Sequence, residues 1–292
     1  MNSTGSPPTS CGAGSAEAAT DESGDDQPLF DRFTLFFDFL GTSEATRWPK
    51  ERLNPFVDLL ISIAQIQSEQ DVEGNPQDDG SYRIWITPQV TTFSDNIVVS
   101  YPSLEDKTSV PYGVPKHLKF EAHWAKFMCQ DAIRILSGVA ELGLRIGVLV
   151  RGGFTFGQLH HNQGAVFGEA LVEANRIEKS EAIYPRVLVS ESIMQKLDGI
   201  PEADRTFLLR DVDGRWHLNY FADMIQHSTN GPIDDEQAQR WKSAHLVTIN
   251  AAIEGLAHDP HRRGKWVWFK ARFEEAYAHV QSDKAAKNGS EK

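Results

Sequence analysis

Two aspartates occupy settings in which a carboxylate could do chemistry. Asp38 follows the apolar run Phe33-Thr34-Leu35-Phe36-Phe37 in the segment FFDFLG, and Asp95 lies in FSDNIV between two β-prone runs. A lone carboxylate at the end or turn of an otherwise apolar strand is costly unless something binds it, and a pair of divalent metal ions is the simplest partner. Two neighbouring antiparallel strands would deliver both groups to one sheet edge, where shared carboxylates hold two metals roughly 3.5–4 Å apart. Hard oxygen donors without His or Cys favour Mg²⁺ or Mn²⁺ over zinc. Turns are also the commonest home of aspartate, so either residue alone has a purely structural reading.

Other residues qualify more weakly. Gly41-Thr42-Ser43 would offer backbone amides to phosphates at a helix start, although most such segments are simple caps. Arg176, in the string GEALVEANRIEKSEA, could hold developing phosphate charge; surface arginines on helices are more often solvated or ion-paired. His160 and His161 are adjacent at a hairpin turn, diverge, and lack a second ligand pair, so they are read as solvent-exposed and not as metal ligands.

The elements that must position these residues follow from periodicity. Residues 1–28 are rich in Ser, Thr, Gly, Ala and Asp and read as a disordered arm. A strand ends at Asp38, a turn at 41–44 caps a helix carrying Phe56, Leu59, Leu60, Ile63 and Ile66, and a polar loop spans 71–81. Strands at 82–86 and 90–93, a Ser94-Asp95-Asn96 turn and a returning strand from Ile97 make a hairpin with aspartate at its tip. A helix from 115 to 142 precedes a β pair, 144–156 with 165–167, and then a helix from Gly168 to Ala182. A strand at 186–190 leads into a short helix, and 207–210 with 216–221 form a hairpin across Asp213-Gly214. Beyond Pro232 the pattern is helical, at 234–257 and 264–282, with Trp266, Trp268, Phe269, Phe273 and Tyr277 as a packing stripe. The core order β-α-β-β-α-β-β-α-β is that of an α+β domain over residues 29–228, with an appended helical hairpin at 229–284 and a disordered tail at 285–292.

Composition narrows the function. The chain has 292 residues, 40% of them hydrophobic, and 41 Asp and Glu against 29 Lys and Arg. That balance argues against sequence-independent binding of duplex nucleic acid, which needs a basic face. Two cysteines, Cys11 and Cys129, exclude a disulfide framework and suit a reducing cytoplasm. No apolar run reaches the roughly 18 residues that span a bilayer, and no secretion signal is evident, so a soluble cytoplasmic protein is expected.

In family order, FFDFLG, FSDN and RGGFTFGQLHHNQGAVFGEALVEANRIE resemble the first metal strand, the second metal turn, and the Arg-Gly strand, hairpin and catalytic helix of the class III nucleotide cyclases. The likeness covers about residues 33–225. It implies a ferredoxin-like core with an antiparallel-rich sheet, acting as a head-to-tail homodimer on a nucleoside triphosphate with two Mn²⁺ or Mg²⁺ ions per site. Metal aspartates would come from one subunit and the transition-state arginine from the other. By resemblance, Asp38 and Asp95 match the metal carboxylates and the Phe39 carbonyl joins one metal. Phe36 borders the base, Gly41, Thr42 and their amides cradle the triphosphate, and Arg176 matches the catalytic arginine.

The departures from the family pattern are informative. Thr91 stands where purine cyclases carry a base-reading lysine or glutamate, and Ala165 where they carry aspartate or cysteine. Val172 takes the place of the catalytic asparagine, and Asn175 faces elsewhere on the helix. Arg210 is the candidate for the family's second phosphate-binding lysine. These departures resemble the pyrimidine cyclases of bacterial anti-phage (Pycsar) signalling, in particular the uridylate cyclases, with the motifs FSDNIVVS, RGG and GEAL and the Trp-rich tail. That resemblance implies conversion of UTP to cyclic UMP, which acts on a separate effector. A cytidylate cyclase and a catalytically silent nucleotide-binding homologue are the alternatives.

Overall fold

An eleven-residue strand, β1 (Phe30–Leu40), forms the spine of the molecule because both of its faces find cover. The computed structural model describes residues 29–65, 88–103, 121–162, 164–227 and 235–290. β1 is followed by α1 (Lys50–Gln65), the hairpin β2 (Gln89–Phe93) and β3 (Asn96–Pro102), α2 (Glu121–Arg145) and β4 (Leu149–His161). The sheet runs β2-β3-β1-β4, antiparallel at every step. A β-α-β-β-α-β chain in that order is the ferredoxin-like arrangement, so the α+β expectation holds.

The remaining elements extend it. β5 (Val166–Phe167) pairs with the end of β4, and α3 (Glu169–Ser180) crosses back over the sheet. β6 (Val187–Val189) joins β4 in parallel, α4 (Glu191–Lys196) follows, and β7 (Leu208–Arg210) and β8 (Trp216–Leu218) close the far edge in the order β6-β8-β7. The chain ends in α5 (Tyr220–His227), α6 (Asp235–Gly255) and α7 (Pro260–Ser290).

Alternation along β1 sorts its side chains. Phe33, Leu35, Phe37 and Phe39 join Ile97, Val99 and Tyr101 of β3 and the apolar stripes of α1 and α2 in the main core. Each such burial contributes about 1.5–3 kcal/mol. The opposite face carries Phe36, Asp38 and Val98, and Ala174 of α3 packs there on Phe36 and Val98. Close approach of α3 demands glycine beneath it: a Cβ on Gly153 would come within 2.6 Å of the Ala174 carbonyl oxygen.

Four expectations from sequence are corrected. β1 does not end at Asp38, since Phe39 and Leu40 go on pairing with Val150 and Leu149. The 41–44 turn does not cap a long helix: a 3-10 turn at Ala45–Arg47 intervenes, and Trp48 before Pro49 is extended, so α1 waits until Lys50. Leu144 belongs to α2 and not to a strand. Tyr220 and Phe221 open α5 instead of continuing the last strand. The terminal helices are present and join the core: Ile249, Trp266, Phe269 and Phe273 belong to the same cluster as the sheet, and α7 runs to Ser290. The arm at 1–28, the 71–81 loop, the strand at 82–86 and the boundary at 228/229 lie outside the described residues.

Candidate active site

Asp38 sits on the α3 face of β1, two residues before the strand ends, in register with Arg151 of β4 on one side and Asn96 of β3 on the other. Cross-strand register turns this into an ion pair: Arg151 Nε and Nη2 donate to Asp38 Oδ1 and Oδ2 at 3.1 and 3.3 Å. Arg151 also pairs with Glu178, which α3 brings down from above and which is almost wholly buried. Burial first, and then the neighbouring Asp38 charge, push the Glu178 carboxyl up to about 7, against the opposing pull of Arg151.

Asp95 occupies the β2–β3 turn after Ser94, whose φ of 59° gives the tight reversal. Its Oδ2 accepts from the Thr42 hydroxyl, and its Oδ1 accepts from Ser94 Oγ at 3.1 Å and Asn96 Nδ2 at 3.4 Å. Thr42 Oγ1 also lies 2.8 Å from the Phe39 carbonyl oxygen. One hydroxyl therefore gathers two of the three oxygen donors expected at a metal, the Asp95 carboxylate and the Phe39 carbonyl, while the third, Asp38, is the preceding residue of β1. All three are hard oxygens at one sheet edge, a donor set that fits Mg²⁺ or Mn²⁺. Among the described residues no group of three or more His, Cys, Asp or Glu side chains converges on a metal position, so the set depends on that backbone carbonyl. Gly41, exposed and with φ +98°, makes the turn that returns Thr42 to this edge.

The base positions form a second group. Phe36, Val98 and Thr91 are directly opposite one another across β1, β3 and β2, and hence share the α3 face. Phe36 is buried there, with Phe93 tilted against it at 6.3 Å between ring centroids. Thr91 is half-buried, and its Oγ1 lies 2.9 Å from His161 Nε2, while His161 Nδ1 lies 2.8 Å from Ser100 Oγ. His161 was expected in solvent; it is instead 5% exposed, and burial lowers its pKa to about 4, so it is neutral near pH 7. Ala165 is exposed in the β4–β5 turn, where its amide donates to Asn162 Oδ1 at 2.8 Å, beside the Val166 that pairs with His161.

Arg176 is not brought to the carboxylates of its own chain. It stands on the outer side of α3, its side chain 48% exposed, held by Glu173 and Glu181 at 2.6 Å each. Val172, one turn earlier, is exposed beside it, whereas Asn175 is half-buried with an unpartnered Oδ1. Arg210, on edge strand β7, donates Nε to the Gly214 carbonyl and lies at the opposite side of the sheet from β2, with β3, β1, β4, β6 and β8 between. The sequence reading missed Arg151, Glu178 and Ser100, and it placed His161 in solvent. Arg151 had a signal in the RGG segment; the others had none short of the register.

No family model matches the chain, and no curated protein matches it either. Among solved structures, the monomeric guanylyl cyclase domain of the RhoGC fusion protein from the aquatic fungus Blastocladiella emersonii is similar at 14% identity, over 65% of this chain and 94% of that one, with a TM-score of 0.36. A superposition that loose carries no argument, and the fold stands on the strand order above. No helix among the described residues is long and apolar enough to cross a membrane.

Proposed function

We propose that the protein is a pyrimidine nucleotide cyclase of the class III type, converting UTP to 3′,5′-cyclic UMP and pyrophosphate as a cytoplasmic second-messenger signal in anti-phage defence. The observation that carries this reading is the delivery of Asp38 and Asp95 by adjacent antiparallel strands to one end of a ferredoxin-like sheet, with Thr42 drawing Asp95 to the Phe39 carbonyl. Asp38, the Phe39 carbonyl and Asp95 would hold the divalent ions. When bound, those ions acidify the ribose 3′-hydroxyl and offset charge on the triphosphate.

The rest falls to the chain's own residues. The 3′-oxygen loses its proton to solvent water and bonds to the α-phosphorus, the bond from that phosphorus to the bridging oxygen breaks, and the electron pair leaves with pyrophosphate. Arg151, which holds Asp38, can exchange that partner for a phosphate oxygen. Arg176 points outward, which suits donation to the site of a second copy; there it would meet charge that grows in the transition state. The exposed Phe93, Phe167 and Val172 around the Phe36 cluster suit an interface between copies. Thr91 hydrogen-bonded to a neutral histidine, with Ala165 in the β4–β5 turn beside that histidine's strand partner Val166, offers no charge to a purine and supports a pyrimidine.

Incubation with ATP, GTP, CTP and UTP plus Mn²⁺, with product identification, tests this. Cyclic UMP is expected; cyclic CMP would move the base assignment, and absence of pyrophosphate release from all four would leave a silent nucleotide-binding homologue, which Val172 at the asparagine position favours. Mixing Asp38→Ala with Arg176→Ala subunits should restore one site per heterodimer. Absence of rescue despite subunit exchange removes the shared site.

A further inference from the structure

Beyond the end of β1 a cavity of about 330 Å³ opens between the Gly41–Glu44 loop and the terminal helices. Its charged lining is three cations, Arg52, Arg262 and Lys265, against one carboxylate, Glu44. Arg52 is fixed in place, donating to the Ile146 and Gly147 carbonyls at 3.0 Å each and stacked 3.7 Å over the Trp48 ring. Arg262 Nη2 reaches Ser43 Oγ at 3.5 Å, which ties α7 to the loop after β1, while its Nε faces Asp259 at 3.4 Å. Lys265 is half-buried and makes no ion pair among the described residues.

Lys265 also links the cavity to the carboxylate site. Burial first, and then repulsion from Arg151 and Arg262, lower its pKa against the attraction of Asp38 and Glu178. Three cations around one partly closed space repel one another, and Arg52 and Lys265 also lose hydration there, a cost offset when a multiply charged anion fills it. Water takes about 30 Å³ per molecule. The space is therefore on the order of ten waters, suited to a chain of two or three phosphates and larger than one needs.

We propose that this cavity is a polyphosphate subsite in which Lys265 and Arg262 of α7 take the outer phosphates of a nucleotide held at Asp38 and Asp95, or the pyrophosphate that leaves it. The assignment rests on the nucleotide reading of the Asp38 site. It gives the terminal helices a task beyond packing and supplies cations where Arg210, on the far edge strand, cannot reach. Lys265 and Arg262 are binding residues here and have no part in bond making.

Calorimetric titration of the full chain in Mg²⁺ with pyrophosphate, UTP and UMP, for wild type, Lys265→Met and Arg262→Gln, tests the assignment, with thermal melts to confirm folding. Each substitution should weaken pyrophosphate and UTP about tenfold or more and leave UMP unchanged. Weakening of UTP alone assigns the cavity to the substrate tail, and of pyrophosphate alone to the departing product. Unaltered affinity for both in both folded variants, or wild type binding neither, overturns the subsite. A protein that binds pyrophosphate through Lys265 yet cyclises no nucleotide loses the cyclase reading and keeps the subsite. One that cyclises UTP as Lys265→Met at wild-type KM and also binds pyrophosphate with wild-type affinity keeps the first and loses the second.

Discussion

Arg186 and Arg151 each bridge two carboxylates, and the two arginines differ in their access to solvent. Arg186, just before β6, pairs with Asp211 at 2.5 Å and with Asp213, and its side chain is 1% exposed. Arg151 pairs with Asp38 and Glu178 at 21% exposure, at the sheet end where Asp95 and Thr42 also lie. Arg186 and Asp211 are almost wholly buried, with the guanidinium 5.8 Å from the Tyr184 ring centroid, and only Asp213 reaches solvent, so the buried pair serves itself alone. The Arg151 cluster can trade partners. The chemistry is the same in both places; access to a ligand separates a structural ion pair from a reactive one.

That contrast is tested most severely by removing one member from each cluster. Asp38→Ala should lower nucleotide turnover by about three orders of magnitude, roughly 4 kcal/mol at the transition state, while the melting temperature moves little because the carboxylate is partly solvated. Arg186→Met should do the reverse. It strands the buried Asp211 carboxylate and costs about 3–5 kcal/mol of stability, with turnover per folded molecule preserved. Urea unfolding and a cyclisation assay on the same preparations decide both, and a large stability loss in Asp38→Ala would erase the distinction.

Gly153→Ala probes how the open cluster is assembled. The added methyl would press on the Ala174 carbonyl and Ile177 and lift α3, which carries Glu178 to Arg151. A cost of about 1–3 kcal/mol is expected, together with a fall in turnover, since overpacking moves backbone. Unchanged stability would mean that α3 is not held as closely as its contact with β4 indicates.

What could be read from sequence follows the same division. Asp38 and Asp95 were legible because a charge interrupts two strand-like runs, a local signal. Arg151 and Glu178 were not, because opposition of residues 38 and 151 is a matter of register between distant strands, and Glu178 matters only through the face of α3 that lies down. His161 was misread for a similar reason: a His-His turn looks polar, yet the end of β4 carries the second ring under cover to Ser100 and Thr91. The aromatic stripe of α7 was visible, but not that it belongs to the same core as α5 and the sheet. The Tyr220-Phe221 run has strand composition, and tertiary packing of both rings overrode it.

Acid should weaken the fold through buried histidines. His217, near the Arg186 cluster, has its pKa lowered to about 4, chiefly by burial, and His161, bonded to Thr91 and Ser100, behaves alike. Between about 4 and 6.5 the unfolded chain binds a proton that the folded chain refuses. Stability is therefore complete above 6.5 and is lost as pH falls towards 4, by about 1–3 kcal/mol per histidine. Asp213, whose pKa is lowered first by its hydrogen bond to Arg186, acts in a separate, more acidic window below its ordinary value. His217→Gln should flatten the slope of unfolding free energy between pH 7.5 and 5; an undiminished slope would assign the loss to other groups.

The smallest effect expected is the most pointed control on the carried-over site. Arg210 was the residue that the family pattern offered as a second phosphate contact, but β7 lies at the sheet edge opposite β2, and Arg210 already bonds the Gly214 carbonyl and rests over Trp216. A side chain so placed cannot reach a phosphate at Asp38 of the same chain. Arg210→Ala should therefore change stability by no more than about 0.5 kcal/mol and leave KM for the triphosphate within about twofold. If KM instead rises tenfold, Arg210 reaches the site from a second copy. The polyphosphate would then be held partly across the interface, and the role assigned to Lys265 and Arg262 would shrink to match.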